Sequence, residues 1–169
     1  MCQCLSARVS VIKALGFFIL PCIVFLHQGV VFGAQTGTSL ATFSFQAIDE
    51  IAISGAPTLT INSAVAGQQP DPVTNTSSTY SISTNGTNKK ITASISKQMP
   101  AHTTLEIQLA PPAAGTSLGY VTLSTTAADV VTGITREAAA DKTITYRFSA
   151  TTAAGVLTDS CTVTLTLTD

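Results

Sequence analysis

The feature that most limits what this chain can become is an alternation of apolar with hydroxyl or other polar side chains, repeated from residue 42 almost to the end. Successive side chains on a strand point to opposite faces, so a two-residue period describes strands with one face on a core and one in water. The runs are 42–47 (Phe43, Phe45, Ala47), 58–62 (Leu59, Ile61), 79–84 (Tyr80, Ile82), 90–96 (Ile91, Ala93, Ile95), 105–109 (Leu105, Ile107, Leu109), 120–124 (Val121, Leu123), 142–150 (Ile144, Tyr146, Phe148, Ala150) and 160–168 (Cys161, Val163, Leu165, Leu167). Ile48, Ile51 and Ile53 extend the first run, but the phase shifts near Asp49 and Glu50, which predicts a bulge or a crossing between sheets.

Turn chemistry falls between these runs. Asn85-Gly86 tolerates positive φ and predicts a hairpin between 79–84 and 90–96. Gly55 with Pro57, Met99-Pro100, Pro111-Pro112 with Gly115, and Gly155 mark further breaks, and 68–78, with Pro70 and Pro72, reads as the one long loop. Residues 126–133 read as a short helical segment between a Thr126 cap and a Gly133 stop. About eight short strands without interleaved helices predict an all-β, antiparallel two-sheet sandwich, immunoglobulin-like in architecture, with seven or eight strands. Composition agrees: only 10% of the 169 residues are charged and 45% are hydrophobic, and 28 Thr stand after residue 34. Thr is β-branched and suits a strand.

Ahead of the alternation, Arg8 and Lys13 precede the uncharged stretch 14–26, followed by small residues around Gly33 and Ala34. That order is a secretory signal peptide, with cleavage after Gly33 or Ala34. Small side chains are needed one and three residues before the cut, and Val31 suits that place better than Phe32 does. The expected organisation is therefore a leader over 1–34 and a single β-sandwich domain over 35–169, secreted or held in the cell envelope. The apolar stretch contains Pro21 and is shorter than the roughly 20 residues of a spanning helix, so no membrane anchor is expected after cleavage. Cys2, Cys4 and Cys22 leave with the leader, which makes the domain disulfide-free, with Cys161 an inert apolar residue at the start of the last run.

After the leader, six basic residues face nine acidic ones, a net charge of about −3. A nucleic-acid surface needs clustered cations, and Lys89-Lys90, read as a soluble hairpin tip, is the only basic pair. No catalytic, cofactor or metal residue is assigned. His102 is the one histidine after the leader, and a zinc site needs three or four His or Cys ligands. No Gly-x-Ser-x-Gly elbow accompanies it. Asp49 and Glu50 are neighbours and point to opposite faces of a strand, which does not suit a glycosidase pair. Asp71, Asp129 and Asp159 lie in loops without a calcium-loop pattern. Tyr120 is the aromatic least committed to a core, because Val121 and Leu123 take the opposite face of its run.

The leader, the opening Phe43-Ser44-Phe45, the phrase at 80–86 and the Thr-rich close at 162–169 together resemble secreted bacterial β-sandwich proteins of uncharacterised function. The last strand, ending in Thr-Asp, is also similar to the end of cell-wall-binding WxL modules, although this chain has no Trp. The resemblance implies export and a sandwich fold. The functional expectation is a non-enzymatic structural, adhesive or assembly module working through loops and strand edges, with self-assembly carried by 42–47. The alternatives are a glycan-binding module, in which Tyr120 and the 68–78 loop share a patch, and a small secreted hydrolase using His102.

Overall fold

The computed structural model describes Gly33 and residues 35–169, so the expected leader over 1–34 lies outside the described residues. The chain divides into a unit over Met1–Thr42, whose described residues carry no regular secondary structure, and a compact unit over Phe43–Asp169 that holds the nine strands found among the described residues. These are β1 (Asp49–Ser54), β2 (Val73–Thr84), β3 (Lys89–Ile95), β4 (Thr103–Leu109), β5 (Thr116–Ser117), β6 (Val121–Thr122), β7 (Ala128–Ile134), β8 (Glu137–Ala150) and β9 (Val163–Thr168). Every ladder is antiparallel. One sheet has the order β1-β2-β8-β4-β6 and the other β5-β7-β3-β9. The expected all-β two-sheet sandwich is what the chain forms.

The alternation explains the core. Ile144 and Tyr146 of β8, Ile107 and Leu109 of β4, Ile91 and Ala93 of β3, and Leu165 of β9 turn inward and are buried, while the alternate residues Thr92, Gln108 and Thr145 are half-buried and Thr164 and Thr166 are exposed. Tyr80 is buried as well, and its hydroxyl donates to the Ala110 carbonyl at 2.7 Å, which satisfies the polar end of an otherwise apolar side chain.

Several boundaries differ from the sequence expectation, each for a physical reason. Residues 126–133 are not helical. Residues 128–133 belong to β7, where Val130 and Val131 are both fully buried although adjacent. The register against β3 slips twice along β7, and the slip at Val130 makes it an extra residue of a bulge that turns inward beside Val131. Two consecutive buried valines break the two-residue period and so disguise the strand. A second bulge, at Asp141 (φ 51), lets β8 run for 14 residues against β2.

Asn85-Gly86 does not close a hairpin. β2 and β3 lie in different sheets, and β1 with β2 is the only consecutive pair of strands, among the described residues, that shares a ladder. The left-handed residue of this connection is Asn88 (φ 56). The Asn85 side chain clamps the entry to β1 instead. Its Oδ1 accepts from the Ile48 N–H at 2.9 Å, and its Nδ2 donates to the Gln46 carbonyl at 2.7 Å.

The runs 42–47 and 58–62 are not strands either. The first strand begins at Asp49, where the phase shift stands, because residues 49–54 find β2 as a partner. The expected loop over 68–78 is shorter, since β2 already starts at Val73, and in the run 120–124 Val121 and Thr122 form the ladder with β4, with the Leu123 N–H donating to the Leu105 carbonyl.

Candidate functional site

Residues singled out by their chemistry are dispersed over the sandwich. His102 lies in the turn between β3 and β4 with φ 64, exposed to solvent, and its carbonyl accepts from the Thr151 N–H. No hydrogen bond links its imidazole to a serine or carboxylate among the described residues. Cys161 precedes β9 instead of opening it, and is half-buried against the core. Burial, reinforced by the Asp159 carboxylate, pushes its thiol pKa up, so little of the nucleophilic thiolate forms.

The acidic residues are engaged separately. Asp49 accepts from the Thr84 hydroxyl and pairs with Lys89 at 2.9 Å, while Glu50 lines an open dent on the outer side of the first sheet. Asp129 pairs with Lys90 at 3.5 Å and Asp159 pairs with Lys97. No group of three or more His, Cys, Asp or Glu that could hold a metal ion occurs among the described residues.

Lys89 departs from its expected role as part of a soluble hairpin tip. It opens β3, its side chain is only 12% exposed, and it bridges Asp49 at the start of β1 to Asp169 just after β9 at 2.6 Å. The two carboxylates hold the ammonium charged and raise its pKa, and the Thr84 hydroxyl followed by Lys89 lowers that of Asp49. One end of β1 is thereby pinned beside one end of β9, although the strands belong to different sheets.

Tyr120 is no bare platform. The Arg147 guanidinium lies 4.0 Å from its ring centroid, a cation–π contact, and Arg147 Nε donates to Glu106 at 2.7 Å. Across the same outer face, Thr74 of β2 stands opposite Arg147, and Glu106 opposite Thr122. Of the two dents, of about 350 and 500 Å³, the first is lined mainly by alanine and serine of β1, β2 and β8 together with Glu50, and the second by Phe45, Ile48, Asn85, Arg136 and Glu137 among others.

What stands out is apolar surface where strand pairing is incomplete. Phe43 and Phe45 are 93% and 77% exposed, and Leu40 is 94% exposed. Four strands form sheet edges, of which β1 and β9 are six residues long and β5 and β6 only two. Thr162 offers its carbonyl to the Ser96 N–H, so the backbone groups of residues 162, 164, 166 and 168 turn toward β3. Those of Val163, Leu165 and Leu167 turn to the free edge. Val163 and Leu167 pack on the core but remain half-buried, as does Ile51 of β1, and Ile53 is 42% exposed. Sequence reasoning had selected 42–47 by its alternation, whereas the unpaired β9 edge depends on strand order and carries no local signal.

No helix among the described residues is long and apolar enough to cross a membrane. No family model, curated protein or solved structure matches the chain.

Proposed function

We propose that this is an exported, non-enzymatic surface module that builds assemblies through its strand edges, with the segment ending at Phe45 as the element that leaves the domain to join a partner. The observation that carries the reading is the exposure of Phe43 and Phe45 at 93% and 77% on a segment patterned as a strand. A fully buried Phe is worth roughly 1.5–3 kcal/mol relative to an exposed one, so two uncovered Phe residues in phase leave several kcal/mol available to any surface that covers them. Val65, Leu118 and Val156 are exposed too, but they sit apart on connections and form no strand pattern. Export rests on the leader-like order of residues 1–34.

The test is the size of the exported protein against concentration, by gel filtration and electron microscopy. The reading requires multimers that grow with concentration and that Phe43→Ser with Phe45→Ser dissolves; monomers alone at high concentration would end it.

A glycan-binding role is the second reading, favoured by the register that brings Thr74 opposite Arg147 and Arg147 onto Tyr120. A sugar would have to use the ring face that Arg147 leaves open. A glycan array without binding removes it.

A further inference from the structure

The assembly reading names a donor but no acceptor, and the strand order supplies one. In an immunoglobulin-type sandwich the third strand opens the second sheet, the sixth lies beside it, and a seventh lies beyond the sixth. Here β1-β2-β8-β4 follows the order of the first sheet in that scheme, and in the second sheet β3 has β9 on one side, as the third strand has the sixth, and β7 on the other. No described strand pairs with the outer edge of β9. The backbone groups of Val163, Leu165 and Leu167 face that place, Val163 and Leu167 are half-buried there, and β1, with half-buried Ile51 and partly exposed Ile53, passes close to β9.

We propose that the free edge of β9 is the acceptor for residues 40–45 of a second copy of this chain, which add there as a further strand. This rests on the assembly reading and specifies its partner surface. The faces match: Phe43 and Phe45 fall on one side of the donor and would cover Val163, Leu167 and Ile53. Thr42 and Ser44 fall on the other, continuing the water-facing row of Thr164 and Thr166. Strand addition at an exposed edge uses main-chain hydrogen bonds for affinity and alternate side chains for register.

The chain's own residues 43–48 are placed elsewhere. Lys89 pins the start of β1 to the end of β9, so these residues enter β1 from beyond that end of the sandwich. Asn85 fixes Gln46 and Ile48 there, and Phe45 borders the dent with Arg136, Glu137 and Ala138 next to β8. Donor and acceptor are thus different surfaces of the same molecule. A contact of that kind is head-to-tail and, unless the rotation closes a ring, propagates into an open chain.

The experiment uses full-length protein with its native cysteines replaced by Ala. One preparation carries Ser44→Cys and the other carries Thr164→Cys or Thr166→Cys, each at an exposed position. The two are mixed and oxidised. At least one β9 position gives a cross-linked heterodimer, and a Thr122→Cys control on the opposite edge of the sandwich does not. Adding Phe43→Ser and Phe45→Ser to the donor lowers the yield at least about a hundredfold at limiting concentration. Those side chains are exposed, so the folded domain survives their loss.

Multimers that persist with no cross-link above the control refute β9 as acceptor and leave the assembly reading standing. Absence of multimers refutes both. A monomer that cross-links internally when one chain carries Ser44→Cys and Thr166→Cys also refutes the second copy as occupant.

Discussion

Two stretches of this protein have nearly the same pattern and opposite fates. In β8, Ile144, Tyr146 and Phe148 alternate with Thr145 and Arg147, and the apolar members reach the core between the sheets. In 42–47, Phe43 and Phe45 alternate with Thr42, Ser44 and Gln46, and both aromatics stand in solvent. The difference is neighbours. β8 lies between β2 and β4, so both of its backbone edges are paired, whereas the N-terminal segment is held only where Asn85 grips Gln46 and Ile48. Alternation therefore determines that a segment has two faces, not which molecule covers the apolar one.

The largest expected effect tests the buried half of that contrast. Ile144 is fully buried in the central strand, and Ile144→Ala removes three buried carbons and leaves a cavity, at a cost of about 2–5 kcal/mol. Urea denaturation of a monomeric sample measures it. A loss below about 1 kcal/mol would mean that β8 is no better packed than the N-terminal segment, and the contrast would fail.

Next comes the edge strand. Gly55, at the end of β1, has φ +99, and a Cβ there would meet the Ser78 backbone at 2.9 Å and its hydroxyl at 2.8 Å. Gly55→Ala combines left-handed strain with a clash against a fully buried residue, so it destabilises by about 1–3 kcal/mol. A neutral result in the same titration would show that β1 can shift off β2 freely, making it as loosely held as the segment before it.

How much of this was legible follows the same division. Strands β2, β3, β4, β8 and β9 were recognisable because a face buried by long ladders imposes a strict two-residue period. β7 was hidden by its bulge, which buries Val130 and Val131 together, and β1 by its edge position, which buries little beyond Ile51. The Asn85-Gly86 pair carried real turn chemistry, yet turn chemistry does not specify whether the next strand stays in the same sheet. In the candidate site, the uncovered aromatic run was visible as a pattern. The open β9 edge was not, because it follows from β3 choosing β7 and β9 as neighbours, pairings separated by tens of residues.

A smaller effect reads the polar end of the core. The Tyr80 hydroxyl is buried against the Ala110 carbonyl, and burial pushes its pKa up to about 12. A phenol that is raised in the folded state favours folding in its neutral form. Its contribution is complete below the unfolded value of about 10 and is lost as pH rises through the folded value of about 12. Tyr80→Phe costs roughly 0.5–1.5 kcal/mol at neutral pH and removes this part of the alkaline decline. Thermal melts across that pH range should show the variant falling less steeply, and parallel curves would indicate that the hydroxyl ionises in water.

The smallest expected effect bears most directly on function. Phe43→Ser with Phe45→Ser should change the stability of the isolated domain by less than about 0.5 kcal/mol, the range of ordinary surface substitutions, because both side chains are already exposed. The same double substitution should abolish multimers. Stability and assembly must therefore separate at these two positions and change together at Ile144. If the double variant instead unfolds with a loss comparable to Ile144→Ala while still monomeric, the aromatics are already covered within their own domain. The N-terminal segment would then be one more core strand, with no apolar face left for a second molecule.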